Sequence, residues 1–175
     1  MKVELIKYPS AEDYIWVKQC AYVTVGKDTD TVPRKEWLHR ILKARHSPIR
    51  ELNFRFLLTD VPYYVSVHLV RHHEGVNWFI QTQRNDRQDK YDRESARQDA
   101  PVMMRVGINA EELMTVANKR LCNLASPATR EVVRMMCDEV LKVCPEFEGL
   151  LVPMCEYGRC HEMYPCGKKV GGSDG

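Results

Sequence analysis

The chain has 175 residues and a mass of 20.4 kDa, the size of one ordinary domain and too short for two full catalytic domains. With 44% hydrophobic and 29% charged residues it can bury enough apolar surface to offset chain entropy, which excludes disorder of the chain as a whole. Lys plus Arg number 26 against 24 Asp plus Glu, a formal net charge of +2, so bulk electrostatics draws it neither to nucleic acid nor to an acidic membrane, and any anionic ligand must be held by local groups.

Residues 2 to 8 read as a short strand, and the first nine residues lack the apolar core of a signal peptide, so a cytoplasmic location is expected. Ser10 with Asp13 three residues on is the cap signal of a helix running toward Val23. After a polar loop at 26–30, Pro33 is expected in the first turn of a second helix, whose apolar stripe is Trp37, Leu38, Ile41 and Leu42. Leu52, Phe54, Phe56 and Leu58 alternate with Asn53 and Arg55, the period-two pattern of a half-buried strand. Asp60-Val61-Pro62 is expected to open a helix reaching about His73. A second alternation, Val76 to Arg84, puts Trp78, Ile80, Thr82 and Arg84 on one face and Asn77, Phe79, Gln81 and Gln83 on the other.

Residues 84–99 are almost wholly polar with both signs interspersed, as in a solvated loop or flap. Helical spacing returns over 108–123 and 127–144, with Ser126-Pro127 as a cap and first turn. The glycine-rich end reads as a frayed tail. No stretch approaches the roughly 18 uninterrupted apolar residues of a membrane span. The expected fold class is α+β, with helices packed on a small, mostly antiparallel sheet.

The densest chemistry is Arg71-His72-His73-Glu74-Gly75-Val76-Asn77, followed by Gln81-Thr82-Gln83-Arg84. Tyr64, His68, Arg71 and His72 fall at helical spacing on one side, and Arg71 with Arg84 could grip a phosphate through charge-assisted hydrogen bonds. The same residues would also simply complement the dipole at a helix C-terminus.

This pattern resembles the signature of the flavin-dependent thymidylate synthases, the ThyX type: Arg-His-Arg, a short spacer with an Asn, then Ser-x-Arg. Here His73 stands for the third residue and Thr82 for the Ser. Three further segments fall in the family's order: Ala44-Arg45-His46-Ser47-Pro48-Ile49-Arg50-Glu51 leading into a strand, Ala96-Arg97 through Ala100-Pro101, and Asn109 through Leu113 with Asn118-Lys119-Arg120. Arg50 stands where the family has Glu, Glu111 where it has Arg, Thr115 where it has Asn, and His68 where it has Gln. The resemblance is to a short, divergent branch with a Cys-rich C-terminus. It divides the chain into a flavin- and nucleotide-binding domain over 1–153, a Cys/His-rich segment over 154–166 and a tail over 167–175.

What the resemblance implies is a homotetramer that binds FAD, with each active site shared between protomers. NADPH would reduce the flavin, and a methylene group would pass from methylenetetrahydrofolate to dUMP. Arg84 and Arg120 would be catalytic. Ser47, Arg71, His72, His73, Asn77 and Asn109 would hold FAD, while His68, Thr82, Gln83, Arg84, Arg97 and Arg120 would bind the nucleotide. The flavin carries the difficult step, so the protein need supply only positioning and cationic donors.

Seven cysteines without a secretory signal read as thiols or metal ligands rather than disulfides. Cys20, Cys122, Cys137 and Cys144 fall in predicted helices and read as small buried hydrophobes. Cys155, Cys160, His161 and Cys166 lie close together in sequence and are candidate ligands of a structural zinc. Adjacent Cys160 and His161 cannot easily both ligate one ion, so a fourth ligand from elsewhere, an iron–sulfur cluster or free thiols stay open.

Two other functions compete. A metal-stapled module could grip nucleic acid through Arg84, Arg87, Lys90, Arg93 and Arg97, but Asp86, Asp89, Asp92, Glu94 and Asp99 nearly cancel that charge. A protein with the same fold could instead carry out another uridine modification, or none.

Overall fold

The computed structural model describes residues 1–84, 86–87, 92 and 94–167. The tail beyond 167, with Lys90 and Arg93 of the polar segment, lies outside the described residues. The fold is α+β: helices cover one face of a four-stranded antiparallel sheet.

The central strand β2 (Asn53–Pro62) pairs with β1 (Lys2–Lys7) on one side and β4 (Pro101–Asn109) on the other, and β4 carries the edge strand β3 (Val76–Ile80). Alternation decides which side is buried. Phe54, Phe56 and Leu58 of β2 and Val102, Met104, Val106 and Ile108 of β4 face the helices. A bulge then shifts the register between Leu58 and Val61, with Asp60 at φ 57, so Val61 rather than Asp60 turns inward.

That bulge corrects the expected helix start at Asp60. The chain stays extended to Pro62, and the helix α3 is short, Tyr63–Leu69. Its first amides donate to the carbonyls of Ala100 (3.0 Å) and Gln98 (2.9 Å), which ties the end of the polar segment to the helix N-terminus. The alternation expected to reach Arg84 also stops early. β3 ends at Ile80, and Gln81 extends the contact with β4 through its own amide to Met103 O (2.8 Å) and through its side chain, which accepts from Met103 N (3.1 Å). Strand β4 takes residues 108 and 109 from the helix expected there.

The helices begin where the caps lie. In α1 (Ala11–Val23), Ser10 Oγ accepts from Asp13 N (3.3 Å) and Asp13 Oδ2 accepts from Ser10 N (2.7 Å), a complete capping box. Helix α2 (Lys35–Lys43) starts later than expected, leaving Pro33 buried just ahead of its cap Arg34. Asn109 caps α4 (Ala110–Arg120), and Ser126 caps α5 (Pro127–Val143) with Pro127 in its first turn. Val132, Val133, Met136 and Val140 of α5 lie in the core with β1, α3 and α4 packed against that helix. A last helical turn, α6 (Met154–Tyr157), lies against α4.

Candidate functional site

The site is built where the turn before β3 meets the start of α4. Asn109 N donates to Gly75 O (2.9 Å), and Asn109 Oδ1 accepts from Glu112 N (2.9 Å). Gly75 sits at φ +68, and a Cβ there would come within 2.4 Å of Asn109 Nδ2, so this turn admits only glycine against the cap. With its own amide capped, Glu112 is free to turn its carboxylate toward His72, and both side chains are only 11% exposed.

Glu112 Oε1 lies 2.8 Å from His72 Nδ1, and Arg120 Nε lies 3.0 Å from His72 Nε2. An arginine Nε–H can only donate, so the bonding pattern assigns the acceptor role to His72 Nε2 and the proton to Nδ1, which donates to Glu112. Arg120 Nη2 donates to His68 O (2.8 Å), and Trp78 Nε1 donates to His72 O (2.8 Å). His68 Nδ1 is 3.1 Å from Thr129 Oγ1, which is 2.8 Å from Ser126 Oγ. Three elements thus fix one guanidinium.

The partners of Arg120 are a neutral imidazole and a carbonyl; no carboxylate pairs with it among the described residues. Burial, and to a smaller degree the neighbouring Arg71, hold its guanidinium below the ordinary arginine value. Arg71 is exposed and likewise forms no ion pair among the described residues. Two neighbouring guanidinium groups with no carboxylate paired to them among the described residues can donate charge-assisted hydrogen bonds to an anionic ligand.

The remaining expected residues divide. His68, Arg71, His72 and Arg120 come together, with Asn109 one step away through Glu112. Arg84 instead closes on Asp86 (2.9 and 2.6 Å) and Arg97 on Asp99 (2.8 and 3.0 Å), each guanidinium held bidentately two residues along. Thr82 Oγ1 accepts from Arg84 N (3.2 Å), and Gln83 is half-buried beside it. Ser47 is exposed at the start of the 3₁₀ turn Ser47–Glu51, whose Pro48 and Ile49 are buried, and His73 is exposed with Nδ1 3.1 Å from Arg71 O. Asn77 points the other way from Trp78, onto the open face of the sheet, where it lines a hollow of about 410 Å³ with Arg55, Phe79 and Arg105. It is therefore separated from the His72 cluster by the sheet.

Beside Glu112 lies a polar cavity of about 370 Å³, lined also by Arg50, Glu74, Asn109, Glu111 and Thr115. Three of the departures from the family pattern, Arg50, Glu111 and Thr115, meet here. Arg50 Nε pairs with Glu111 Oε2, so the two exchanged charges compensate each other. Thr115 accepts from Arg45 Nη1 (2.9 Å), whose Nη2 donates to Asn118 Oδ1 (2.6 Å).

Glu112, Thr129 and Gly75 were not among the expected site residues. The spacing of Asn109 and Glu112, cap to third helical position, is a signal that could have found the carboxylate. Cys122 is a further one: it lines a cavity of about 160 Å³ together with Cys155, Cys160, His161 and Cys166. Among the described residues no three such side chains are gathered closely enough to ligate one ion as they stand.

No protein-family description matches the chain, and no curated protein matches it in sequence. The fold does have counterparts. A structure of thymidylate synthase X (ThyX) from Helicobacter pylori with FAD and dUMP matches with a TM-score of 0.69 at 14% identity, over 86% of this chain and 99% of that one. A second FAD and dUMP complex of the Helicobacter pylori enzyme matches at 0.68 and 13%, over 86% and 98%. The UMP/dUMP methylase PolB from Streptomyces cacaoi, bound with 5-Br dUMP, matches at 0.65 and 15%, over 85% and 93%. The chain has a ThyX-like fold.

Proposed function

We propose that the protein is a flavin-dependent thymidylate synthase-like enzyme that methylates dUMP, with methylenetetrahydrofolate as carbon donor and reduced FAD as hydride source. The observation that carries this reading is the immobilised, uncompensated Arg120 beside Arg71, in a fold whose solved counterparts hold FAD and dUMP. Arg120 would bind an anionic or carbonyl oxygen of the nucleotide with the N–H donors that His72 and His68 leave over. Glu112 fixes the tautomer of His72, and His72 fixes the direction of Arg120, so the guanidinium is aimed before the ligand arrives.

The cavity of about 370 Å³ suits the polar edge of a flavin: the Asn109 side chain offers a neutral amide, while Arg50 is already engaged by Glu111 and the Thr115 hydroxyl by Arg45 and the Glu111 carbonyl. Arg71 and His73 would hold its pyrophosphate. Bound flavin, reduced by NADPH, would supply the hydride that the side chains cannot. Such a cavity is at the small end of ligand pockets, so the reading includes a homotetramer whose protomers complete each other's sites. The open sheet face supports assembly, since it leaves Phe79 68%, Met103 50% and Ile6 45% exposed. Arg84 and Arg97 would reach the nucleotide phosphate by exchanging Asp86 and Asp99 for it.

The likeness to a UMP/dUMP methylase supports a second reading, in which the acceptor is another uridine nucleotide. Purified protein should show a bound, reducible flavin spectrum, and calorimetry should detect dUMP. Absence of both flavin and dUMP binding in the folded protein overturns the proposal, and UMP bound in preference to dUMP selects the second reading.

A further inference from the structure

We propose that Cys122, Cys155, Cys160 and Cys166 form a tetrathiolate zinc site that clasps the C-terminal segment to the end of α4. The cavity of about 160 Å³ takes its lining from two stretches far apart in sequence, Asn118 to Asn123 and Pro153 to Gly167, and all four cysteines are among its walls. Cys122 removes the difficulty of the purely C-terminal set, in which neighbouring Cys160 and His161 would have to share one ion. It brings the fourth sulfur from a separate element and leaves His161 outside the coordination shell.

Two of these thiols stand on fixed supports. Cys122 follows the last turn of α4, whose Asn118 Nδ2 donates to Val152 O (2.6 Å). Cys155 belongs to α6, where Tyr157 donates to Lys43 O (2.8 Å) and lies under the Arg45 guanidinium at 5.3 Å. The other two are on the stretch after Gly158. Among the described residues none of 159–167 is in a helix or strand, and Met163 and Tyr164 are 83% and 80% exposed. Ordering this stretch costs chain entropy that no packing of its own offsets, yet it turns back over the end of α4. A metal supplies what the packing lacks, because a site's binding energy is folding energy for the residues that close it.

Two of the remaining cysteines differ from these in burial. Cys137 and Cys144 are buried in the core, and burial pushes their thiols up to about 12 and about 11. Cys122 and Cys155 are half-buried and Cys160 and Cys166 exposed, open to an ion from solvent. The four side chains do not yet surround one point; zinc draws the 159–167 stretch inward as four thiols release their protons to solvent. Zinc favours four sulfur ligands in tetrahedral array, and Lys119 in the cavity wall offsets part of the resulting negative charge.

Full-length protein purified with reductant and without chelator should carry about one zinc per chain, with X-ray absorption showing four sulfurs at about 2.3 Å. Cys122→Ser should weaken zinc binding by more than the roughly 10–100-fold that loss of an outer-shell partner costs, whereas His161→Ala should keep it. Zinc no higher than in a chelated control overturns the proposal, as does a shell of three sulfurs and one nitrogen in the unaltered protein. An iron–sulfur chromophore overturns the choice of metal. If Cys122→Ser does not fold, the sulfur count in the unaltered protein still decides.

Discussion

Arg120 and Arg84 are the same residue type in two mechanical settings. Arg120 lies at the end of α4, half-buried, aimed by His72 and the His68 carbonyl and unpaired with any described carboxylate. Arg84 lies beyond the end of β3, its side chain 57% exposed and closed bidentately on Asp86, as Arg97, 82% exposed, is closed on Asp99. On the loop, water and a carboxylate two residues away neutralise the charge at little cost in chain freedom. On the helix, Ala117 and Leu121 are buried, and no described carboxylate pairs with the charge. An arginine in a motif is therefore ready to bind only where the fold has withheld its counter-ion.

Removing Arg120 is the most damaging test of that difference. Arg120→Ala should weaken dUMP by about 1.5–3 kcal/mol, the range for a hydrogen bond to a charged group, and lower turnover roughly 10²–10³-fold if the guanidinium also meets developing charge. Calorimetry and initial rates read the two effects, and unchanged values for both would place Arg120 outside the site.

His72→Ala should follow. It leaves the buried Glu112 carboxylate without its partner and the guanidinium without its guide, at about 1–3 kcal/mol of stability, with dUMP affinity falling as well. Denaturant midpoints and calorimetry on one preparation check this, and lost stability with unchanged affinity would reduce His72 to a structural role.

The loop should respond more weakly and in both directions. Arg84→Ala should weaken dUMP only several-fold, and Asp86→Asn should tighten it slightly by freeing the guanidinium. If Asp86→Asn weakens binding, Arg84 does not exchange its partner for the nucleotide.

Acid should have the least effect in the working range. The Arg84 and Arg97 guanidinium groups hold Asp86 and Asp99 below their ordinary value of 3.8. Their folded values are depressed, so the pairs are fully present above that value and are lost only as pH falls through the lowered ones. Carboxylate chemical shifts should therefore stay flat from pH 8 to about pH 5, and a transition inside that interval would show that the pairs do not persist in solution.

Much of the fold is legible in short-range pattern. The Ser10 and Asp13 box, the Ser126-Pro127 start and the Phe54, Phe56, Leu58 alternation act over two to four residues, and each formed as expected. Strand β4 was harder to see, because Met103 on the open face interrupts the alternation of Val102, Met104 and Val106. Asp60 misled for a related reason: a bulge changes the parity of a strand without changing its composition.

The sequence by itself determined which residues carry charge, imidazole and thiol, and where the capped helices α1 and α5 begin, since caps are local. Only the tertiary structure decided how those groups are compensated. Glu112 reaches His72 across 40 positions, and Arg50 meets Glu111 across 61. Cys122 joins the C-terminal cysteines only because α6 lies against α4. Coulomb and hydrogen-bond energies depend on distance in space and on exclusion of water, and neither is a function of spacing along the chain.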